Sequence, residues 1–184
     1  MKRRQFIKSF FLLSSILIVK PTKLIASINS VRLGQKAPDF LLNGFNKNNP
    51  NQKEWSLDNF SGKWLILYFY PKDFSSGCTL QAKAFQDNLS KFKKLNSTVV
   101  GISADIKEEH ESFCSSAKLG YTLLSDTKAE ISKSYDSWSD PYSKRNTFMI
   151  NTKGIVVYKW IVVRPIGHAH EVLEELIKQK KIYA

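Results

Sequence analysis

The sequence predicts an α/β fold in which a mixed β-sheet is covered by helices on both faces, a three-layer sandwich. Two observations carry most of that expectation. Residues 63–70, KWLILYFY, are an almost unbroken apolar run with aromatics, the pattern of a strand buried on both faces. Residues 97–103, STVVGIS, repeat the pattern after a stretch whose apolar residues recur at helical spacing. The third is the C-terminal order of hairpin then helix, which adds antiparallel strands to the sheet and another covering layer.

Taken in chain order, residues 43–52, NGFNKNNPNQ, are the most turn-rich stretch and read as a surface loop. A helix is expected over 79–93, with Ala82, Phe85, Leu89 and Phe92 on its inner face. After the second strand, residues 106–119 read as a helix that turns Ile106, Phe113 and Ala117 to one side. YTLLSD, 121–126, is a short extended segment, and 128–135 is another helix. NTFMINTKGIVVYKWIVV, 146–163, is a hairpin whose turn is supplied by Asn151, Lys153 and Gly154. A last amphipathic helix carries Val172, Leu173, Leu176 and Ile177.

At 184 residues the chain has room for one domain and a short extension. Its 42% hydrophobic and 24% charged composition is that of a globular protein. The formal charge of +12 raises nucleic-acid binding. However, Lys2, Arg3, Arg4, Lys8, Lys20 and Lys23 all fall in residues 1–30 without an acid, and the remaining excess is scattered. With no basic run interleaved with aromatics, a solvated lysine-rich face is expected and nucleic acid is not a partner.

Residues 1–30 read as an export segment: a basic start, an apolar centre from Phe10 to Val19, then Lys20 and Pro21. That centre is about half the ~20 apolar residues a membrane-spanning helix needs. Arg3, Arg4, Phe6, Ile7 and Lys8 give KRRQFIK a pattern that resembles the twin-arginine signal, which implies export to a periplasm or thylakoid lumen. No clean small-x-small pair marks a cleavage site, so an anchored form and an N-terminal helix packed on the body stay open. Membrane contact is expected only during export or if the segment is retained. Residues 31–184 are then the single folded domain.

The chemistry-bearing stretch is FYPKDFSSGCTLQ, 69–81, which leaves the first buried strand and reaches a cysteine where the next helix begins. Open α/β sheets gather reactive groups beyond the carboxyl ends of strands. First-turn N–H groups lack intrahelical partners and favour thiolate over thiol. An ordinary cysteine near pKa 8.5 is about 3% ionised at pH 7, and one near pKa 6 about 90%. Because nucleophilicity falls with basicity, charge on a leaving group must be stabilised as well. Pro71 opens the loop without an N–H. Ser75 offers a hydroxyl to sulfur and substrate, and Thr79 a first-turn N–H. Arg145, just before the hairpin, has a guanidinium able to return to the crevice.

Pro71, Ser75 and Cys78 in a Pro-x-x-x-Ser-x-x-Cys array, with Arg145 ahead of a strand, resemble the peroxiredoxins. YFYPKDFSSGCTLQ, YTLLSD and RNTFMINTKG are similar to the bacterioferritin-comigratory, or peroxiredoxin Q, subfamily over roughly 34–178. Ser76 stands where proline often precedes Gly77. The resemblance implies a thioredoxin-like fold and a thioredoxin-dependent thiol peroxidase without a prosthetic group, expected to be a monomer. It implies Cys78 as the peroxidatic cysteine, with Pro71, Ser75, Thr79 and Arg145 about it. The substrates it implies are hydrogen peroxide and organic hydroperoxides, and the reductant a thioredoxin-like protein.

Many members place a resolving cysteine five residues after the peroxidatic one, where this chain has Lys83. Others carry it on the following helix, and Cys114 fits that variant, which implies an intramolecular disulfide and an atypical two-cysteine cycle. Two helices do not bring sulfurs to bonding distance without backbone movement, so local unwinding around both cysteines is expected. Cys114 as a packing residue, a permanent Cys78–Cys114 disulfide, a one-cysteine peroxidase resolved by an external thiol, and a non-catalytic redox sensor remain alternatives. His168, His170 and His110 read as capping or surface residues, and no metal site is expected. No phosphate-binding glycine loop is present.

Overall fold

The structure, a computed structural model, describes residues 31–183. The export segment expected at 1–30 lies outside the described residues. Seven strands form one sheet in the order β2-β1-β5-β4-β3-β8-β9. They are β1 (Leu41–Phe45), β2 (Glu54–Ser56), β3 (Trp64–Phe69), β4 (Ser97–Ser103), β5 (Thr122–Ser125), β8 (Thr147–Ile150) and β9 (Val156–Trp160). A separate two-stranded ribbon pairs β6 (Trp138–Ser139) with β7 (Tyr142–Ser143). The helices are α1 (Ser76–Asp87), α2 (Leu89–Lys94), α3 (Lys107–Ala117), α4 (Glu130–Ser134) and α5 (His168–Ile182), with a 3-10 turn at Leu57–Phe60. β3, β4 and β5 run parallel, while β8 pairs antiparallel with β3 and β1 with β5. The expected mixed sheet between helical layers, a thioredoxin-like fold, is what the chain forms.

The pleat of β3 explains the two cores. Trp64, Ile66 and Tyr68 point to one face with the buried residues of α1, α2, α3 and α5. Leu65, Leu67 and Phe69 point to the other, where Phe40, Trp55, Phe60 and Tyr135 pack. All six β3 residues are buried, as the unbroken apolar run required. Gly101 in β4 is needed for this packing: a Cβ there would lie 2.8 Å from the Tyr68 ring. Phe85 is fully buried and stacks on Tyr68 at 4.9 Å, so Phe85→Ala would destabilise by about 3–5 kcal/mol.

Several local expectations are corrected. The helix expected over 79–93 starts earlier, at Ser76, and breaks at Asn88, whose side chain bonds the Ala84 carbonyl. Its apolar spacing survives the break because Phe85, Leu89 and Phe92 face one core. Asn43, Gly44 and Phe45 are not loop but the end of β1; the turn-rich signal belongs only to the residues after them. Ile106 is half exposed at the N-cap of α3, and Ile177 is exposed on α5, so neither belongs to the inner face.

Candidate functional site

β3 and β8 build the site together. The β3–β8 register sets Tyr68 opposite Thr147, and the Asn146 carbonyl accepts from the Phe69 N–H at 2.8 Å. Arg145 is thereby delivered beside the 70–75 loop that leads into α1. Its backbone carbonyl is held by the Val163 N–H at 2.8 Å, and the Asn146 side chain by the Val162 N–H at 2.9 Å. Arg145 Nη2 then donates to Cys78 Sγ at 3.3 Å and Nη1 to Gln81 Oε1 at 2.7 Å. Cys78, in the first turn of α1, is 1% exposed. The bare Gly77 backbone lies against this guanidinium, since a Cβ there would stand 3.4 Å from Nη2.

Two expected partners are placed differently. Ser75 is the N-cap residue of α1 and is exposed, but its hydroxyl donates to the Lys72 carbonyl at 3.0 Å rather than to the sulfur. A hydroxyl so near its own backbone closes a local turn. The Thr79 N–H donates to the Ser75 carbonyl at 2.9 Å, the first regular bond of the helix, and is not free for the thiol. The N–H groups without intrahelical partners are those of Ser76, Gly77 and Cys78. Ser75 makes no side-chain capping bond to them. Pro71 is half-buried at the start of the loop.

Gln81 is a site residue that sequence reasoning did not single out. It is fully buried, one turn beyond Cys78, and its Nε2 has no hydrogen-bond partner among the described residues. Its spacing was the available signal: a polar residue at 81 interrupts the apolar stripe of Cys78, Ala82 and Phe85.

Cys114 lies on α3 as expected, 1% exposed beside Phe113 and Ala117. Both cysteines are free thiols and belong to one core cluster. Burial pushes the Cys114 thiol up to about 12, helped by the negative charge of Asp73 and opposed by Lys47.

The expected surface role of His110 is overturned. Its ring is fully buried, with Nδ1 2.7 Å from Asp73 Oδ2. The Tyr70 hydroxyl donates to Asp73 Oδ1 at 2.7 Å, the Asp73 N–H to Asp105 Oδ2 at 2.8 Å, and the Ser103 hydroxyl to that same oxygen at 2.7 Å. Asp73, Asp105 and His110 offer ligand-type atoms within 4.8 Å of one another. His110 Nδ1 and the bonded carboxylate oxygens are already engaged with each other or their neighbours, which makes the group a buried polar network, while His110 Nε2 is buried without a partner among the described residues. His168 is likewise not a surface residue. It is buried between the Phe85 and Trp160 rings, with Nε2 2.9 Å from the Thr147 hydroxyl. Desolvation lowers its pKa from 6.5, with Glu171 acting in the opposite direction. His170 alone is exposed as expected.

The AhpC/TSA family profile matches residues 33–159. Peroxiredoxin Bcp of Bacillus subtilis is 32% identical over 155 residues, covering 80% of this chain and 96% of that protein. The chloroplastic peroxiredoxin Q of Arabidopsis thaliana is 42% identical over 129 residues, 68% of this chain and 57% of that one. Among solved structures, a peroxiredoxin Q variant from Xylella fastidiosa superposes with a TM-score of 0.75 at 29% identity, over 82% of this chain and 98% of the other. A Xanthomonas campestris bacterioferritin comigratory protein, whose structure addresses alkyl peroxide reduction, gives a TM-score of 0.71 at 27% identity over 76% and 91%. With a cysteine in a helix's first turn under an arginine, on this fold, the chain belongs to the AhpC/TSA family, among the Bcp and peroxiredoxin Q thiol peroxidases.

Proposed function

We propose that the chain reduces hydrogen peroxide and organic hydroperoxides through Cys78. The single observation that carries this reading is the 3.3 Å approach of Arg145 Nη2 to Cys78 Sγ at the start of α1. In the first step the Cys78 thiolate attacks the near oxygen of the peroxide. The O–O bond breaks, Cys78 becomes a sulfenic acid, and the distal oxygen leaves as water or an alcohol after taking a proton. Arg145 and the N–H groups of Ser76, Gly77 and Cys78 hold the peroxide oxygens and stabilise the charge on the departing one. Gln81 fixes the plane of the guanidinium. Ser75 and Pro71 shape the loop, and Thr79 closes the first helical bond.

In the second step Cys114 attacks the sulfenic sulfur, forming a Cys78–Cys114 disulfide and releasing water, and a thioredoxin-like dithiol then restores both thiols. The buried, protonated state of Cys114 favours one rival, a one-cysteine peroxidase resolved by an external thiol. A redox sensor would be oxidised once and then stop.

A thioredoxin-coupled peroxidase assay on wild type and both cysteine-to-serine variants, with intact-mass analysis after one equivalent of peroxide, separates these. Wild type is expected to turn over and lose two hydrogens, Cys114→Ser to stop at the sulfenic acid, and Cys78→Ser to do nothing. Full turnover by Cys114→Ser would establish the one-cysteine cycle. Residues 1–30 are proposed as a twin-arginine-type export segment ahead of a single domain at 31–184, active as a monomer in a periplasm or thylakoid lumen. Replacing Arg3 and Arg4 by lysine is expected to hold precursor in the cytoplasm, and unchanged export would refute the assignment. Among the described residues no helix is long and apolar enough to cross a membrane.

A further inference from the structure

We propose that Asp73 and His110 are a positioning pair that clamps the Cys78 loop to the Cys114 helix and sets how often Cys114 is released. This rests on the reading that Cys114 resolves Cys78. Asp73 lies in the loop that leads into α1, and His110 lies one turn before Cys114 on α3. Among the described residues, two polar side-chain contacts join the 70–75 loop to α3, this pair's 2.7 Å bond and a longer 3.4 Å approach of the Tyr70 hydroxyl to the same His110 Nδ1. Both side chains are buried, and Tyr70 and Asp105 anchor Asp73 from behind. A hydrogen bond to a carboxylate in such a place is among the stronger ones.

The next residue completes the clamp. Phe74 packs edge-on against Phe113 with ring centroids 5.2 Å apart. Consecutive loop residues thus grip His110 and Phe113, which share one face of α3 immediately before Cys114. Phe74 is half exposed and has φ +60, a left-handed conformation that a bulky residue keeps only where its neighbours enforce it. The loop is therefore held under tension against the helix that carries the second thiol.

The clamp explains how the two thiols are kept apart in time. While α3 is docked, burial and the Asp73 charge hold Cys114 protonated. Release puts the thiol in water, where it ionises and attacks the Cys78 sulfenic sulfur. The S–S bond forms, the S–O bond breaks, and hydroxide leaves to become water on taking a proton. If a second peroxide reaches the sulfenic acid first, its O–O bond breaks instead and Cys78 ends as a sulfinic acid. Clamp strength sets the division between these outcomes.

The test uses His110→Leu, which removes the donor, and His110→Asn, which keeps an N–H near the Nδ1 position. In a Cys78→Ser background, alkylation of Cys114 reports release without any peroxide chemistry. His110→Leu is expected to raise that rate roughly tenfold or more, and His110→Asn to restore most of the difference. With Cys78 present, His110→Leu should speed disulfide formation and cut the sulfinic fraction. The first oxidation should stay within about twofold, because the docked form remains dominant. Phe74→Gly, which frees the strained residue and removes its ring, should act in the same direction if His110→Leu does not fold. Wild-type labelling rates in His110→Leu and Phe74→Gly, or equal rates in His110→Asn and His110→Leu, would overturn the clamp. Faster labelling in a protein whose parent forms no Cys78–Cys114 disulfide would support the clamp and refute the resolving role of Cys114.

Discussion

Cys78 and Cys114 are the same side chain at the same 1% exposure, yet their surroundings are opposite. Cys78 sits in the first turn of α1, at the positive end of the helix, with a guanidinium 3.3 Å from its sulfur. Cys114 sits in the last turns of α3, with a carboxylate as its chief charged neighbour and its thiol pushed up to about 12. Burial alone therefore says nothing about whether a cysteine is reactive. What decides is the sign of the fixed charge that replaces water. In the proposed cycle one thiol reacts where it stands, and the other must move first.

The largest break in this contrast should come from Arg145→Leu. Losing the guanidinium at the sulfur is expected to slow oxidation of Cys78 by about 10²–10³, read by stopped-flow mixing with peroxide, while Cys114 labelling is unchanged. Arg145→Lys should recover only part of the rate, since one ammonium nitrogen does not reproduce the planar two-nitrogen fork that reaches Sγ and Gln81.

A smaller effect, about tenfold, is expected for Gln81→Leu, which leaves the guanidinium charged but unheld. Its melting temperature should not fall much, because the substitution also removes the buried, unpartnered Nε2. A large loss of stability with an unchanged rate would assign Gln81 to packing.

The smallest effects concern pH. Cys114 keeps its proton in the folded state up to about 12, whereas the unfolded thiol loses it near 8.5. The unfolded state therefore binds fewer protons in that window, and stability falls as pH rises through it. The buried tyrosines 68, 70, 121 and 135 are raised too and slope the same way, so the thiol's share is the difference between wild type and Cys114→Ala. His168 gives the complementary slope. Its pKa is lowered from 6.5, so its unfolded state takes up the proton first and stability falls as pH drops below about 6.5. His168→Leu should flatten urea-unfolding stability between pH 7 and 5, and an unchanged slope would contradict the assignment.

The central sheet was legible because β3 and β4 are buried on both faces and carry unbroken apolar runs. β1 was hidden: it lies nearer the sheet edge, keeps polar Asn43, and runs directly into a turn. Cys78 stood out because a strand end and a helix start imply a crevice, whereas Arg145 was singled out by the resemblance, and the β3–β8 register brings it beside the sulfur. Ser75 and Thr79 lie at the start of α1 as expected, but local backbone bonds take their polar groups. His110 could have been read as buried, since it shares the α3 stripe with Phe113, Cys114 and Ala117. Its partner could not, because Asp73 meets it only through the packing of a loop on a helix.

The most direct test of the contrast between the thiols compares the two single-cysteine proteins, Cys114→Ser and Cys78→Ser, each fully reduced and mixed with excess hydrogen peroxide at pH 7. Thiol loss at Cys78 is predicted to be faster than at Cys114 by at least about 10². Rates within a factor of a few of each other, or Cys114 reacting first, would contradict the account.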